Sequence, residues 1–169
     1  MTDRRADCIV FLDFDGVTHP DPCEAGRLFA KLPLIEAVLR RFSECRIVIS
    51  SSWRVVHPLD EMREYFAVDM QSRVIGVTPE HRALRDLELS YSRQWECEAW
   101  LRSEGAWLPR DRRLDSPWIA IDDRDDWFAP DCTNLLATHS RTGFTPDDAI
   151  RLERMLRERM PRPVVESGD

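Results

Sequence analysis

Lysine is almost missing from this sequence, and so is any long apolar segment. Lys31 is the only lysine, so a catalytic cation elsewhere in the chain must be an arginine. No apolar segment approaches the roughly 20 residues that a membrane-spanning helix needs. The charged start, Met1–Asp7, has no apolar signal core behind it. These absences argue against a membrane partner and predict a cytoplasmic protein.

The cysteine and charge content argue against disulfide-rich, zinc-binding and nonspecific nucleic-acid-binding proteins. The five cysteines are an odd number without Cys-x-x-Cys spacing, which favours neither a disulfide framework nor a zinc knuckle. We interpret them as reduced and mostly structural. The formal net charge of -7 argues against a basic surface that binds nucleic acid without specificity, although it leaves room for one local groove.

The length and hydrophobic content predict one domain. With 169 residues, 43% of them hydrophobic, the chain can fill one core but not two. We expect a single domain over residues 1–169, with a core at about 8–158 and a disordered tail at 161–169. The sequence contains no internal repeat and no low-complexity tract.

Hydrophobic periodicity predicts an alternation of strands and helices. Short continuous apolar runs are typical of buried strands, and apolar residues three and four apart are typical of helices. The strands are predicted at 8–12, 46–49, 118–121 and 134–137, with a short strand or extended piece at 74–77, and the helices at 33–42, 58–66, about 92–102 and 146–160. A strand–helix–strand unit normally joins parallel strands by a right-handed crossover. We therefore expect an α/β fold with three layers and a mostly parallel sheet.

The first predicted strand ends in two carboxylates, Asp13 and Asp15, which Gly16 follows. If the strand ends at Asp13 and the backbone then turns, Asp15 lies beside it on a loop. Two like charges so placed need a cation, and Mg²⁺ prefers oxygen ligands such as carboxylates and phosphate. Taken alone, Asp-x-Asp-Gly is more typical of an ordinary strand-to-turn junction or a calcium-loop fragment, so the interpretation depends on the rest of the chain.

Three predicted strands end in polar clusters. These clusters are Asp13 with Asp15, the run Ser50–Ser52, and Asp122 with Asp123. In an open parallel sheet the carboxyl ends of the strands lie along one edge, where ligands bind. Two acidic ends and one hydroxyl end at that edge predict a functional site there.

These motifs resemble the haloacid dehalogenase (HAD) superfamily of phosphohydrolases. The resemblance rests on Leu12-Asp-Phe-Asp-Gly-Val17, on the strand that ends in serine, and on the strand that ends in Asp122-Asp123. Three further segments resemble the sequences of a HAD subgroup associated with RNA-repair systems: Ile47–Arg54, Arg93–Trp100 and Thr142–Thr145. The resemblance covers about residues 8–158 and implies a Rossmann-like sheet of the HAD type.

The resemblance implies a role for each acidic residue. Asp13 would be the nucleophile that forms an aspartyl-phosphate. Asp15 would act as general acid and then general base, and its backbone carbonyl would be a metal ligand. The Asp13 carboxylate and Asp122 would complete the protein ligands of Mg²⁺, and Asp123 would orient Asp122 or the metal-bound waters. A carboxylate at position 15 favours phosphatase over dehalogenase chemistry in this family.

The serine run would place one hydroxyl on a phosphate oxygen. Ser50 is the first polar residue after the strand, whereas Ser51 stands two residues before Trp53, and both remain candidates. For Ser52 we prefer a helix-capping role. Trp53 and Arg54 would then frame the site entrance, although packing is the commoner role of a tryptophan in such a loop.

The family normally supplies one Lys or Arg between the serine strand and the Asp-Asp strand. Because Lys31 precedes the serine strand, an arginine must take this role. Arg93 has the Arg-x-x-Glu pattern of the subgroup, so we choose it over Arg82 and Arg85. Glu96 would hold Arg93 from the same helix face, unless the two form a solvated pair.

We therefore expect a Mg²⁺-dependent phosphatase with a small or absent cap. About 34 residues separate Gly16 from Ser50, too few for a large lid, although residues 55–92 could form a modest cover. An open site suits a bulky phosphorylated substrate such as a nucleic-acid end. The alternatives are a catalytically inactive module that binds phosphate or a partner, and a metal-binding or interaction domain. Among the histidines, His19 is the best functional candidate because it follows the acidic loop.

Overall fold

A computed structural model of the chain describes residues 8–80, 90–103 and 116–160. In chain order, the strands are β1 (Cys8–Leu12), β2 (Cys45–Ile49), β3 (Val74–Val77), β4 (Trp118–Asp122) and β5 (Leu135–Ala137). The helices are α1 (Leu32–Leu39), α2 (Leu59–Arg63), α3 (Val68–Gln71), α4 (Ser92–Ser103) and α5 (Pro146–Arg159). Short 3-10 turns cover Ala25–Arg27, Ser52–Val55 and Asp125–Trp127.

The five strands form one sheet in the order β3-β2-β1-β4-β5, and each neighbouring pair is parallel. The α/β fold with a mostly parallel sheet is therefore confirmed. β1 lies in the centre, with Leu12 opposite Ile49 on β2 and opposite Ile121 on β4. The carboxyl ends of the three central strands consequently lie side by side at one edge of the sheet.

Alternation of side chains along β1 divides the core into two halves. Val10 and Leu12 belong to a core cluster that also contains Ile35 of α1 and Leu152 of α5. Phe11, on the opposite face, belongs to a second cluster with residues of α4. Helices therefore cover both faces of the sheet, and the molecule has the three predicted layers.

The predicted elements match the observed ones closely, with one addition and shifted helix ends. The short helix α3 was not predicted, and α1 ends at Leu39, three residues before Phe42. Phe42 still packs against the core from the turn that follows. The predicted tail at 161–169 lies outside the described residues.

The described part of the chain between β1 and β2 contains loop, one 3-10 turn and α1, and no separate lid domain. After β2, Met62 of α2 and Met70 of α3 are buried in the core, so this segment builds the main body of the fold. Residues 81–89, part of the modest cover considered above, lie outside the described residues. None of the described helices is both long and apolar enough to span a membrane.

Candidate active site

The strand register brings Asp13 and Asp122 together. On β1 and β4, Phe11 and Ala120 face the helix α4, and Asp13 and Asp122 follow each of them by two residues. Because strand side chains alternate, both carboxylates face the same side of the sheet. The Asp13 backbone N–H donates to the carbonyl of Ile121 (3.1 Å), which continues the strand pairing to the site. Asp13 is 5% exposed and Asp122 is completely buried.

Asp123 joins these two residues to form an acidic cluster. Carboxylate oxygens of Asp13, Asp122 and Asp123 all lie within 4.8 Å of one another. Gly16 makes this approach possible, because a side chain at position 16 would overlap the Asp123 carboxylate. Its φ of +70° is also a backbone conformation that favours glycine. The Gly16 carbonyl accepts a hydrogen bond from the Thr138 hydroxyl (2.8 Å), which fixes the turn from the β5 side.

The electrostatics of the cluster favour a cation. Burial raises the pKa of Asp13 to about 6, against the attraction of Arg93. Burial, with repulsion from Asp13, raises the pKa of Asp122 to about 8. The buried Oδ2 of Asp122 accepts no hydrogen bond from the described residues. A divalent cation would relieve this repulsion and use the free oxygen, so the donor set fits the Mg²⁺ site that the sequence predicts.

Arg93, at the start of α4, places a positive charge beside the acidic cluster. Its Nε lies 3.6 Å from Asp122 Oδ2 and 3.6 Å from Glu96 Oε2. Burial lowers the pKa of Arg93, but Asp122 and Asp13 outweigh that effect and the net shift is upward, so Arg93 stays charged. The side chain is 5% exposed and its Nη1 has no described hydrogen-bond partner. Arg93 and Glu96 therefore form a buried pair, not a solvated one.

Arg82 and Arg85, the alternatives to Arg93, lie outside the described residues. A different arginine, Arg54, lies in the site region and shares Glu96 with Arg93. Its Nη2 is 2.8 Å from Glu96 Oε1, and the Arg54 side chain is 6% exposed. One buried glutamate therefore holds two guanidinium groups.

Arg54 also fixes the serine loop. Its Nη1 donates to the carbonyls of Ser51 (2.7 Å) and Ser50 (3.3 Å). Ser50 and Ser51 are both buried, at 1% and 0% exposure. Burial raises the pKa of Asp13, and a hydrogen bond from the Ser51 side chain is among the contacts that oppose this rise, so Ser51 reaches the acidic cluster. The structure thus places both serines at the expected strand end.

The prediction that Ser52 caps the segment after β2 was wrong. Ser51 is the N-cap of the turn Ser52–Val55, and its side chain accepts from the Trp53 backbone N–H. Ser52 is the first residue of the turn and is exposed. The extended backbone of Ser51 allows its side chain to reach the N–H two residues later, which is the geometry of an N-cap.

The carboxylate of Asp15 lies in a separate set of contacts. His19 Nε2 is 3.0 Å from Asp15 Oδ1, and Trp53 Nε1 donates to both Asp15 oxygens at 3.1 and 3.0 Å. The hydrogen bond from His19 lowers the pKa of Asp15, burial opposes it, and Trp53 adds to the lowering. The role of the Asp15 backbone carbonyl as a metal ligand stays a prediction, and the Asp15 side chain is held by an imidazole and an indole.

The segment Thr142–Thr145 packs against the loop that follows Asp15. Gly143 has a φ of +64°, and a side chain there would press against the backbone of Val17 and His19. The Phe144 N–H donates to the Val17 carbonyl (2.8 Å). Thr145 then caps α5 in a capping box with Asp148. This late motif therefore fixes the position of the loop that carries Asp15.

A scan against protein-family models matches residues 9–149 to the HAD domain in Swiss Army Knife RNA repair proteins. The chain belongs to this family. The resemblance to HAD proteins with an RNA-repair association is thereby confirmed. Neither the curated proteins nor the solved structures give a match to the chain.

Within this HAD domain, sequence reasoning missed two contacts. Trp53 packs against the core, the role preferred for it, but it also donates to Asp15, which lies 38 positions away in the sequence. Arg54 was placed at the entrance, yet it is buried against Glu96. The sequence motif Ser-Ser-Trp-Arg could have indicated these contacts. A tryptophan and an arginine that directly follow a strand end lie at the edge of the sheet where ligands bind.

Proposed function

We propose that the chain is a Mg²⁺-dependent phosphatase that hydrolyses phosphate monoesters through an aspartyl-phosphate on Asp13. The observation that supports the proposal most directly is that the side chains of Asp13, Asp122 and Arg93 lie close together and are buried. A carboxylate nucleophile, a second carboxylate suited to a cation, and a guanidinium are the groups that phosphoryl transfer to an aspartate needs. Family membership supports phosphohydrolase chemistry in general.

The proposed reaction has two steps, formation and hydrolysis of the aspartyl-phosphate. In the first, a carboxylate oxygen of Asp13 bonds to phosphorus while the ester P–O bond breaks, and Asp15 gives a proton to the leaving oxygen. In the second, water bonds to phosphorus, Asp15 accepts its proton, and Asp13 is released together with inorganic phosphate. Arg93 and one hydroxyl of Ser50 or Ser51 would bind the phosphate oxygens.

Mg²⁺ would be held by the carboxylates of Asp13 and Asp122 and the backbone carbonyl of Asp15, with Asp123 placed to orient these groups. When bound, it would supply charge neutralisation between the phosphate and the acidic cluster. Arg93 supplies positive charge from the α4 side of the cluster. A single guanidinium does not balance Asp13 and Asp122 together with a phosphate dianion, so the proposal requires the cation.

For the substrate, we propose a bulky phosphorylated molecule such as a nucleic-acid end. Two observations support it: the described residues between β1 and β2 form no lid domain, and the family is described from RNA repair proteins. Hydrolysis of 5′- and 3′-phosphorylated RNA and DNA oligonucleotides should be measured beside a panel of phosphorylated metabolites. Faster release of phosphate from the metabolites would contradict this substrate class. Cytoplasmic location stays a prediction.

The activity itself is tested with p-nitrophenyl phosphate. We expect turnover with Mg²⁺, none with EDTA, and none from Asp13→Asn, which keeps the shape of the side chain but removes the nucleophile. A wild-type protein that binds inorganic phosphate without turnover would support the alternative of an inactive phosphate- or partner-binding module. Binding of Mg²⁺ without phosphate binding or turnover would support a metal-binding domain.

A further inference from the structure

The side chain of Asp15 is held by hydrogen bonds on both oxygens. Oδ1 has two donors within reach, His19 Nε2 at 3.0 Å and Trp53 Nε1 at 3.1 Å. Oδ2 receives the Trp53 N–H alone, at 3.0 Å, among the described residues. Each carboxylate oxygen has two lone pairs. Trp53 carries a single N–H, which the two oxygens share, so Oδ1 has the additional donor and Oδ2 is the less occupied oxygen.

The neighbours of His19 determine which of its nitrogens carries the proton. The backbone N–H of Phe29 points to Nδ1 at 3.3 Å. The Thr18 hydroxyl lies 3.0 Å from the same nitrogen. On the other side of the ring, an ionised carboxylate only accepts hydrogen bonds, so the contact with Asp15 requires a hydrogen on Nε2. That hydrogen points to Asp15 Oδ1. His19 is 2% exposed, so the imidazole is held within the protein and offers Asp15 a fixed donor.

An aromatic cluster fixes the indole of Trp53 in the same way. The Trp53 ring makes edge contacts with Phe14 and Phe29, at centroid distances of 5.8 and 5.4 Å, and with Tyr65 at 5.9 Å. It also stacks on His57 at 5.2 Å. Such contacts restrict the ring from several directions. The indole N–H is consequently held towards Asp15 before any substrate binds.

We propose that His19 and Trp53 are positioning residues that orient Asp15, so that its Oδ2 gives the proton to the leaving oxygen of the substrate. This inference rests on the phosphatase activity proposed above. Both N–H groups bind the carboxyl group from fixed positions, so they hold it in one orientation for the proton transfer.

The reasoning predicts a dependence on the leaving group. A leaving oxygen that is a strong base needs the proton from Asp15, whereas p-nitrophenolate leaves readily without much help. Loss of either donor should therefore slow alkyl phosphates more than p-nitrophenyl phosphate. The quantity to measure is kcat/KM, because it covers the steps up to and including transfer of the phosphoryl group to Asp13.

The experiment compares kcat/KM across aryl and alkyl phosphates of decreasing leaving-group acidity, with saturating Mg²⁺. Trp53→Phe removes the N–H and retains a ring, and His19→Leu removes the imidazole. For both we expect a loss of roughly 10- to 100-fold on alkyl phosphates and a much smaller loss on p-nitrophenyl phosphate, since general acid catalysis contributes on this scale. His19→Gln, which retains an N–H near the Nε2 position, should recover part of the loss.

Tyr65→Phe is the matched control. Tyr65 belongs to the same aromatic cluster, but its hydroxyl lies 3.4 Å from Glu61, not near Asp15. The control should keep the wild-type dependence on the leaving group. Melting temperature and the calorimetric Mg²⁺ affinity should be measured for every variant and should stay near wild type. If Trp53→Phe does not fold, the comparison of His19→Leu with His19→Gln decides the question.

Two negative results are distinguishable. An active wild-type protein whose variants lose the same factor on every substrate, or lose no activity at all, overturns the positioning role alone. A wild-type protein that hydrolyses no ester of the series overturns the proposed function, and the positioning role with it.

Discussion

Replacing Asp122 with asparagine should stabilise the protein when no divalent cation is present. Asp122 is completely buried beside Asp13, and Arg93 is the nearest compensating charge among the described residues. Asparagine has nearly the same shape, and its Oδ1 can still accept from the Arg124 N–H, which donates to Asp122 at 2.9 Å. The substitution therefore removes an ionisable group without removing volume.

The magnitude follows from the raised pKa. Burial and Asp13 raise the pKa of Asp122 from 3.8 to about 8. Above pH 3.8 the unfolded chain releases this proton while the folded protein retains it, so the folded state loses stability as pH rises towards 8. At pH 7 the full loss is about 4 kcal/mol, at 1.36 kcal/mol per pH unit. Because Arg93 loses a partner, we expect a net gain of roughly 1–4 kcal/mol, a rise in Tm of roughly 2–16 °C for a chain of this length.

The assay is thermal unfolding in EDTA from pH 5 to pH 8, followed by circular dichroism. The difference between Asp122→Asn and wild type should be small at pH 5 and should grow towards pH 8. Added Mg²⁺ should raise the Tm of the wild type and leave that of the variant almost unchanged. The control is Asp125→Asn, which changes an exposed carboxylate on the same loop. A variant that is less stable than wild type at pH 8 in EDTA would refute the reasoning.

Three other substitutions test the rest of the site. Asp13→Asn should fold normally and keep less than about a tenth of the wild-type turnover, because the nucleophile is gone; a higher residual rate would exclude Asp13 from that role. Arg93→Ala should cost roughly 2–4 kcal/mol in kcat/KM, and Arg93→Lys less, since a point charge remains; equal rates for wild type and Arg93→Ala would assign the phosphate charge elsewhere. Gly16→Ala should weaken Mg²⁺ binding in calorimetry, because the added methyl displaces Asp123; unchanged affinity would separate Asp123 from the metal site.

The acidic part of the site was predictable because it depends on strand ends. Buried strands give continuous apolar runs, and the ends of the runs before Asp13 and Asp122 are visible in the sequence. Parallel pairing then places both residues at one edge without any knowledge of side-chain detail. Arg93 was reached through the scarcity of lysine and the Arg-x-x-Glu pattern, and the structure places it 3.6 Å from Asp122.

The contacts of Asp15 were not predictable in the same way. The side-chain oxygen of Asp15 meets Trp53 only because β2 lies beside β1 and the turn after β2 folds back over the acidic loop. Such a contact depends on rotamers and on an aromatic cluster assembled from distant parts of the chain. Hydrophobic periodicity carries no information about it. The same reason explains why the role of Arg54, fixed by Glu96 of α4, was missed.

The central place of β1 in the sheet has a consequence for synthesis of the protein on the ribosome. β1 is made before both of its neighbours, and β2 (Cys45–Ile49) is the first of the two to emerge. The other edge of β1 stays open until β4, which ends at Asp122, has been made. During that interval the nascent chain exposes an apolar strand edge, a feature that promotes pairing with other chains. We therefore expect nascent chains that end before β4 to aggregate, and chains that extend beyond β5 and α5 to remain dispersed.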